Sequence, residues 1–160
     1  MYEPDPKAAM KHLQTAQDVL REEHEISASD RDEELARILR VRVTRLAEVQ
    51  DTSSAPNTVL QLETMAQTSR SQVIQLCYHG AAGALLVAQG KFAEAIPHLE
   101  EGGADPESMR LLWRAYTSTG ATSEAQAIAS KLAALNLPTV EQALVVPQFR
   151  VSLMSQAVQP

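Results

Sequence analysis

Residues 75–134, QLCYHGAAGALLVAQGKFAEAIPHLEEGGADPESMRLLWRAYTSTGATSEAQAIASKLAA, decide the fold because they contain two copies of one pattern. The first copy consists of His79, Ala82, Gly83, Leu86, Gly90, Phe92, Ala95 and Leu99. The second copy consists of Met109, Leu112, Trp113, Tyr116, Gly120, Thr122, Ala125 and Ala129. In each copy a glycine separates two runs whose apolar residues lie three or four positions apart, the spacing of one helix face. The pattern predicts two consecutive helical hairpins.

The composition favours an all-α protein. Of the 160 residues, 44% are hydrophobic but only 4% are aromatic. Alanine, leucine and glutamine are abundant, and these residues favour closely packed helices, whereas sheets need β-branched and aromatic cross-strand pairs.

Apolar periodicity and cap residues place helices along most of the chain. Ser27 or Ser29 and the Asp105-Pro106 pair are typical helix starts, and Gly90 and Gly120 are typical helix ends. The predicted helices cover residues 7–23, 30–49, a short helix that starts at Ser54 and Pro56 and includes 59–65, then 72–88, 92–101, 106–119, 123–135 and 138–145. Residues from 147 onward have no clear period, which predicts a tail that is laid on the surface or disordered.

The two copies resemble the tetratricopeptide repeat, in which an aromatic residue, a Leu-Gly pair and a tyrosine precede the alanine of a second helix. The matching residues are His79, Ala82-Gly83, Leu86, Ala95 and Leu99 in the first copy, and Met109, Leu112-Trp113, Tyr116, Ala125 and Ala129 in the second. The resemblance implies antiparallel hairpins stacked as a right-handed α-solenoid of about seven or eight helices. Gly83 would let its two helices approach closely. Trp113 is expected either to splay its hairpin or to contact a neighbouring helix, and we favour the second.

The resemblance also suggests how the chain is divided. We expect one domain over residues 1–146, with degenerate N-terminal helices over 7–68, clear hairpins over 72–101 and 106–135, and a capping helix over 138–146. An apolar tail, 147–160, would follow. We expect this tail either to cover the end or the groove of the array or to form a dimer contact, and we favour the first.

In tetratricopeptide repeats the first helix of each hairpin lines a concave ligand groove. The resemblance therefore implies a partner-binding wall, which comprises Cys77, Gly80, Ala84, Val87 and Ala88 in the first copy and Glu107, Arg110, Arg114, Thr117 and Ser118 in the second. Arg110 and Arg114, four residues apart, would be able to grip a carboxylate. The alternative is a solvated helix face on which Glu107 balances both arginines.

Charge and motifs weigh against several function classes. The net charge of −6 disfavours nucleic acid and anionic lipid as partners, and no apolar stretch reaches the roughly 20 residues that a membrane span needs. We expect a soluble protein and favour a cytoplasmic location. Four arginines, Arg37, Arg40, Arg42 and Arg45, are predicted to scatter around their helix, with Arg42 paired to Asp18 or Glu22.

No motif indicates catalysis. His24-Glu25 begins like a zinc-protease motif, but Ala28 stands where the second histidine would be. Cys77 is expected to be a buried small hydrophobe. The sequence predicts a protein that is no enzyme and has no cofactor or metal. It would instead bind a protein or peptide partner on its concave face; the alternative is a structural segment that dimerises through the apolar C-terminal region.

Overall fold

The computed structural model describes residues 5–51, 53–136 and 138–157, and in this part of the chain it contains eight α-helices and no strand. The prediction of an all-α fold is thereby confirmed. The helices are α1 Pro6–Glu22, α2 Ala28–Glu48, α3 Ala55–Thr68, α4 Gln72–Ala88, α5 Phe92–Glu101, α6 Pro106–Thr119, α7 Thr122–Ala134 and α8 Val140–Ala157.

The helix ends follow from local signals. The Ser27 hydroxyl accepts a hydrogen bond from the backbone N–H of Asp30 (3.1 Å) and caps α2, and the Asp105 carboxylate does the same for α6 through the N–H of Ser108 (2.9 Å). Gly90 and Gly120 end α4 and α6 with φ of 75° and 79°, a conformation that favours glycine. The predicted bounds of α4, α5 and α6 are confirmed, and those of α1, α2 and α7 differ by at most two residues.

The expected end of the last helix near residue 145 and the irregular tail after it are wrong, because α8 continues through Pro147 to Ala157. An internal proline removes one helix hydrogen bond. Packing compensates, since Val146 and Phe149 are buried against α6 and α7. The guanidinium of Arg150 also donates to the carbonyl of Ala133 (2.9 Å through Nε). Carbonyls in the last turn of a helix, here α7, have no partner within the helix.

The helices pack in a regular order. Each even-numbered helix contacts the next even-numbered one, and α3, α5 and α7 each contact the two even-numbered helices that flank them. Within the described residues no two odd-numbered helices touch. The even-numbered helices α2, α4, α6 and α8 therefore share one face, which we call the even face.

The interior consists of three successive apolar clusters. The first joins α2, α3 and α4 around Leu39 and Leu62, and the second joins α4, α5 and α6 around Leu99. The third joins α6, α7 and α8 around Leu132 and Phe149. Each cluster joins three consecutive helices, so the core is built mainly by helices that are neighbours along the chain.

Two sites within the repeated pattern confirm their predicted packing. A Cβ on Gly83 would lie 2.5 Å from Leu99 Cδ2, so the missing side chain lets α5 lie directly on α4. Trp113, at the corresponding place in α6, packs edge-on against Phe149 of α8, with ring centroids 5.0 Å apart. The indole thus contacts a neighbouring helix, as expected.

Candidate functional site

Two adjoining cavities open on the even face. The larger has a volume of about 590 Å³ and the smaller about 230 Å³. Thr44, Glu48 and Glu107 line both, so the cavities form one continuous depression, which we call the groove. The larger cavity is also lined by Arg37, Arg40, Val41, Arg45, Val73, Leu76, Cys77, Val140, Leu144 and Val145. The smaller is also lined by Ala47, Gln50, Ala84, Val87, Ala88, Arg110, Leu111 and Arg114.

The floor of the groove is aliphatic. Three helices, α2, α4 and α8, contribute apolar side chains to the larger cavity, and those of α8 are Val140, Leu144 and Val145. Val41 is 46% exposed and Val140 is 69% exposed, which is high for valine. Apolar side chains left open to water in a concave surface are typical of a binding site.

The charged side chains of the groove are mainly arginines. Among the described lining residues, five are arginines and two are glutamates. The formal charge of these described lining residues is therefore +3, whereas the whole chain carries −6. Arginines therefore outnumber glutamates in the described lining, although the carboxylates of Glu34 and Asp105 beside it offset two of them.

Arg40 connects three helices beneath the groove. Its guanidinium lies 2.6 Å from the Asp105 carboxylate and donates to the Ser108 hydroxyl (3.2 Å) at the start of α6. To reach them it passes Gly80 of α4, where a Cβ would lie 2.9 Å from Arg40 Nε. Gly80 is therefore needed for the contact between α2 and α6, and its role is to make space.

Arg45 of the larger cavity and Arg110 of the smaller one also hold carboxylates of this chain. Arg45 lies 2.6 Å from Glu48, and Arg110 Nε donates to Glu107 (2.9 Å). Glu107 is well covered, with a side chain 12% exposed. These pairs fix the side chains of the groove walls, because a partly buried, bidentate pair is held more firmly than a solvated one.

Two further arginines, one in each cavity, are more open. The side chain of Arg37 is 47% exposed and pairs with Glu34 (2.6 Å), a neighbour on the same helix. Arg114 is exposed and lies over the Phe92 ring, with Cζ 5.8 Å from the ring centroid. Such solvated contacts contribute little free energy, so both guanidinium groups can exchange partners readily.

Cys77 lies at the edge of the larger cavity but is itself buried, as predicted. Burial raises the pKa of its thiol, although Arg40 and Arg37 oppose this change. A thiol with a raised pKa stays protonated at neutral pH, and the protonated form is a poor nucleophile. The residue therefore contributes apolar surface to the site.

Most of the residues predicted for the binding wall do line the groove. These are Cys77, Ala84, Val87, Ala88, Glu107, Arg110 and Arg114. Three are placed elsewhere. Gly80 is covered by Arg40. Neither Thr117 nor Ser118 lines the groove. Thr117 is exposed, and its hydroxyl donates to the Trp113 carbonyl (2.8 Å).

The prediction that the arginines of α2 scatter around the helix is wrong for three of the four. Arg37, Arg40 and Arg45 line the same cavity. At 100° per residue they fall within an arc of about 140°, together with Val41, Thr44 and Glu48, so the periodicity contained the signal. Arg42 lies outside this arc. It donates to Gln14 Oε1 (3.2 Å) instead of pairing with Asp18 or Glu22, because the Asp18 carboxylate already binds Gln14 Nε2 and Arg21.

In the described ranges no group of three or more His, Cys, Asp or Glu side chains is placed to bind a metal ion, and no helix there is both long and apolar enough to cross a membrane. The chain matches no family model, no curated protein and no solved structure.

Proposed function

We propose that this chain is a protein interaction module that binds a peptide or a helix of a partner protein in the groove. The observation that carries the proposal is the groove itself, a depression on the even face with an aliphatic floor between arginine side chains. A cavity of about 590 Å³ lies within the size range of ligand sites, and its apolar lining would be covered by the apolar side chains of a partner.

The proposal includes the architecture. We infer that α2 to α8 form a right-handed α-solenoid of hairpins similar to tetratricopeptide repeats. The pattern of helix contacts supports this inference, since each even-numbered helix packs on the next and the odd-numbered helices flank them. The short turns at Gly90 and Gly120 and the close contact of Gly83 with Leu99 support it as well. Solenoids of this kind present continuous surfaces to other proteins.

The test is selection of peptides from a random displayed library, followed by binding to two matched variants. Val41→Gln places an amide on the groove floor, and Val19→Gln makes the same change on α1, where Val19 is 60% exposed. We expect selected peptides to bind Val19→Gln like the unmodified protein and Val41→Gln about tenfold more weakly. Equal binding to both variants, or a selection that yields no binder, would contradict the proposal.

A second candidate function is self-association through α8. On α8, Val151 is 64% exposed and Met154 is 70% exposed. Exposed apolar residues on a terminal helix favour an interface with a second copy. Sedimentation velocity of the protein and of a Val151→Ser, Met154→Ser variant decides: a dimer lost in the variant supports this function, and a monomer at high concentration excludes it.

A further inference from the structure

The proposed groove function leaves the chemistry of the partner open, and the charges of the groove narrow it. We infer that the partner segment is an acidic amphipathic helix, with an apolar stripe on the groove floor and carboxylates that reach Arg37 and Arg114. This inference rests on the proposed function.

The charge of the groove favours an acidic partner. The described lining residues carry +3, and the closest carboxylate partners of Arg40 and Arg37, Asp105 and Glu34, lie beside the lining and reduce this to +1, against −6 for the whole chain. A segment rich in Asp and Glu is repelled by most of the surface and attracted by the groove, so the contrast orients it as well as binding it. A basic segment would be attracted to the rest of the surface instead.

Two cations of the groove are accessible to a partner. Arg40, Arg45 and Arg110 hold Asp105, Glu48 and Glu107, so they belong to the walls. The remaining arginines are Arg37, which lines the larger cavity, and Arg114, which lines the smaller one. Both have solvated contacts within the chain, which a carboxylate of the partner replaces at low cost. Guanidinium groups suit this exchange because they bind carboxylates through two parallel hydrogen bonds.

The helical surface also favours a helical conformation for the partner. The part of the chain that the structure describes has no strand, so it offers no sheet edge to pair with an extended peptide. An extended backbone laid on the aliphatic floor would leave N–H and C=O groups unpaired, which costs free energy. A helix satisfies these groups internally and presents side chains at positions i, i+3, i+4 and i+7 to such a floor.

The groove is less suited to other polyanions. None of its described lining residues is aromatic, so it has no platform for stacking bases. The acidic remainder of the surface would also repel a phosphate backbone longer than the groove, since charges act over about 10 Å at 0.1 M salt. A short row of carboxylates beside an apolar stripe avoids this repulsion.

The experiment uses three synthetic peptides of about 18 residues with the same leucine stripe and with Glu, Gln or Lys at the flanking positions. Both peptide ends are blocked, so that no terminal carboxylate contributes. Fluorescence anisotropy should show the Glu peptide binding about tenfold more tightly than the Lys peptide, with the Gln peptide between them. The preference should shrink from about 0.1 M to about 1 M salt.

Variants locate the contact. Arg37→Gln with Arg114→Gln should weaken binding of the Glu peptide by about threefold to tenfold and change binding of the Gln peptide by less than about twofold. Arg21→Gln with Arg70→Gln removes the same charge from exposed positions outside the groove and should leave the Glu peptide unchanged. Circular dichroism confirms that both double variants fold.

The outcomes separate this inference from the proposed function. If the Gln peptide binds as tightly as the Glu peptide, or if both double variants weaken binding equally, the acidic partner is wrong. Absence of binding to all three peptides, or tighter binding of an oligonucleotide, overturns it as well. The groove function is judged independently by Val41→Gln against Val19→Gln, because glutamine at these positions changes no charge.

Discussion

The two consecutive helix pairs, α4–α5 and α6–α7, use the same place in their shared pattern in opposite ways. In the first pair Gly83 leaves a gap that Leu99 of its own partner helix fills. In the second pair Trp113 fills the corresponding place and packs on Phe149 of α8. At this place the first pair packs within itself, whereas the second holds the next helix. That difference shapes the groove, since α8 contributes Val140, Leu144 and Val145 to its lining.

The largest effect is expected where the second pair holds α8. Phe149 is 2% exposed, so Phe149→Ala should lower the free energy of unfolding by about 3–5 kcal/mol through lost burial and a new cavity. Urea denaturation measures this change. Val151→Ala in the same helix is the control, because Val151 is 64% exposed and should cost less than about 1 kcal/mol. Similar losses for both variants would mean that α8 is not anchored through Phe149.

A smaller effect is expected in the first pair. Gly83→Ala places a methyl group 2.5 Å from Leu99 Cδ2 in a buried contact, and overpacking of this kind costs about 1–3 kcal/mol. The same substitution in a Leu99→Ala background should be neutral or stabilising, because the clash is gone and alanine is favoured over glycine in helices by about 1 kcal/mol. A cost that persists without Leu99 would show that Gly83 is needed for another reason.

The pairs should also respond differently to pH. His79 occupies in α4 the place that Met109 has in α6, and His79 Nδ1 lies 3.2 Å from His98 Nδ1 of α5. One nitrogen must donate and the other accept, so the contact is lost when both carry a proton. Burial lowers the pKa of His79, the nearby Glu101 opposes this, and His98 lowers it further.

The sign of the pH effect follows from that direction. Because the pKa of His79 is lower in the folded protein than in the unfolded chain, its contribution is present above the ordinary histidine pKa of about 6.5 and is lost as the pH falls through the folded value. Denaturation midpoints measured across this range should fall more steeply for the unmodified protein than for His79→Gln. His12→Gln, on the exposed side of α1, should keep the full slope. An unchanged slope in His79→Gln would contradict the account.

The smallest effect concerns Tyr116, which stands in the second pair where Leu86 stands in the first. Its hydroxyl donates to the Glu100 carboxylate, and this hydrogen bond, with some burial and the charges of Glu100 and Glu124, raises the pKa of Tyr116 to about 12. The difference between tyrosinate absorbance titrations of the unmodified protein and Tyr116→Phe isolates this group. A midpoint near the ordinary value of about 10 would exclude the contact.

Local features of the fold could be predicted from the sequence. The ends of α4, α5 and α6 depend on residues within the same turn, such as Gly90 and the Asp105 cap, and these carry their signal in sequence. The extension of α8 was missed because it depends on distant contacts. The residues near Pro147 do not indicate that Phe149 packs on Trp113 or that Arg150 donates to the Ala133 carbonyl.

The candidate site shows the same division. Residues of α4 and α6 were placed on the groove wall through a resemblance, and most of them line it. The arginines of α2 were missed, because their common face becomes a groove wall only when α2 packs beside α4. The reach of Arg40 past Gly80 to Asp105 involves three helices at once, and no spacing within one segment encodes it.

The central claim is that the groove is the binding surface, and methyl NMR of the protein with a selected peptide tests it most directly. The account predicts shift changes at Val41, Val140 and Leu144, which line the groove. Val19 and Leu60 lie outside the groove and are each 60% exposed. Their methyl signals should keep their chemical shifts, as should those of Val151. Shift changes confined to Val19, Leu60 or Val151 would contradict it.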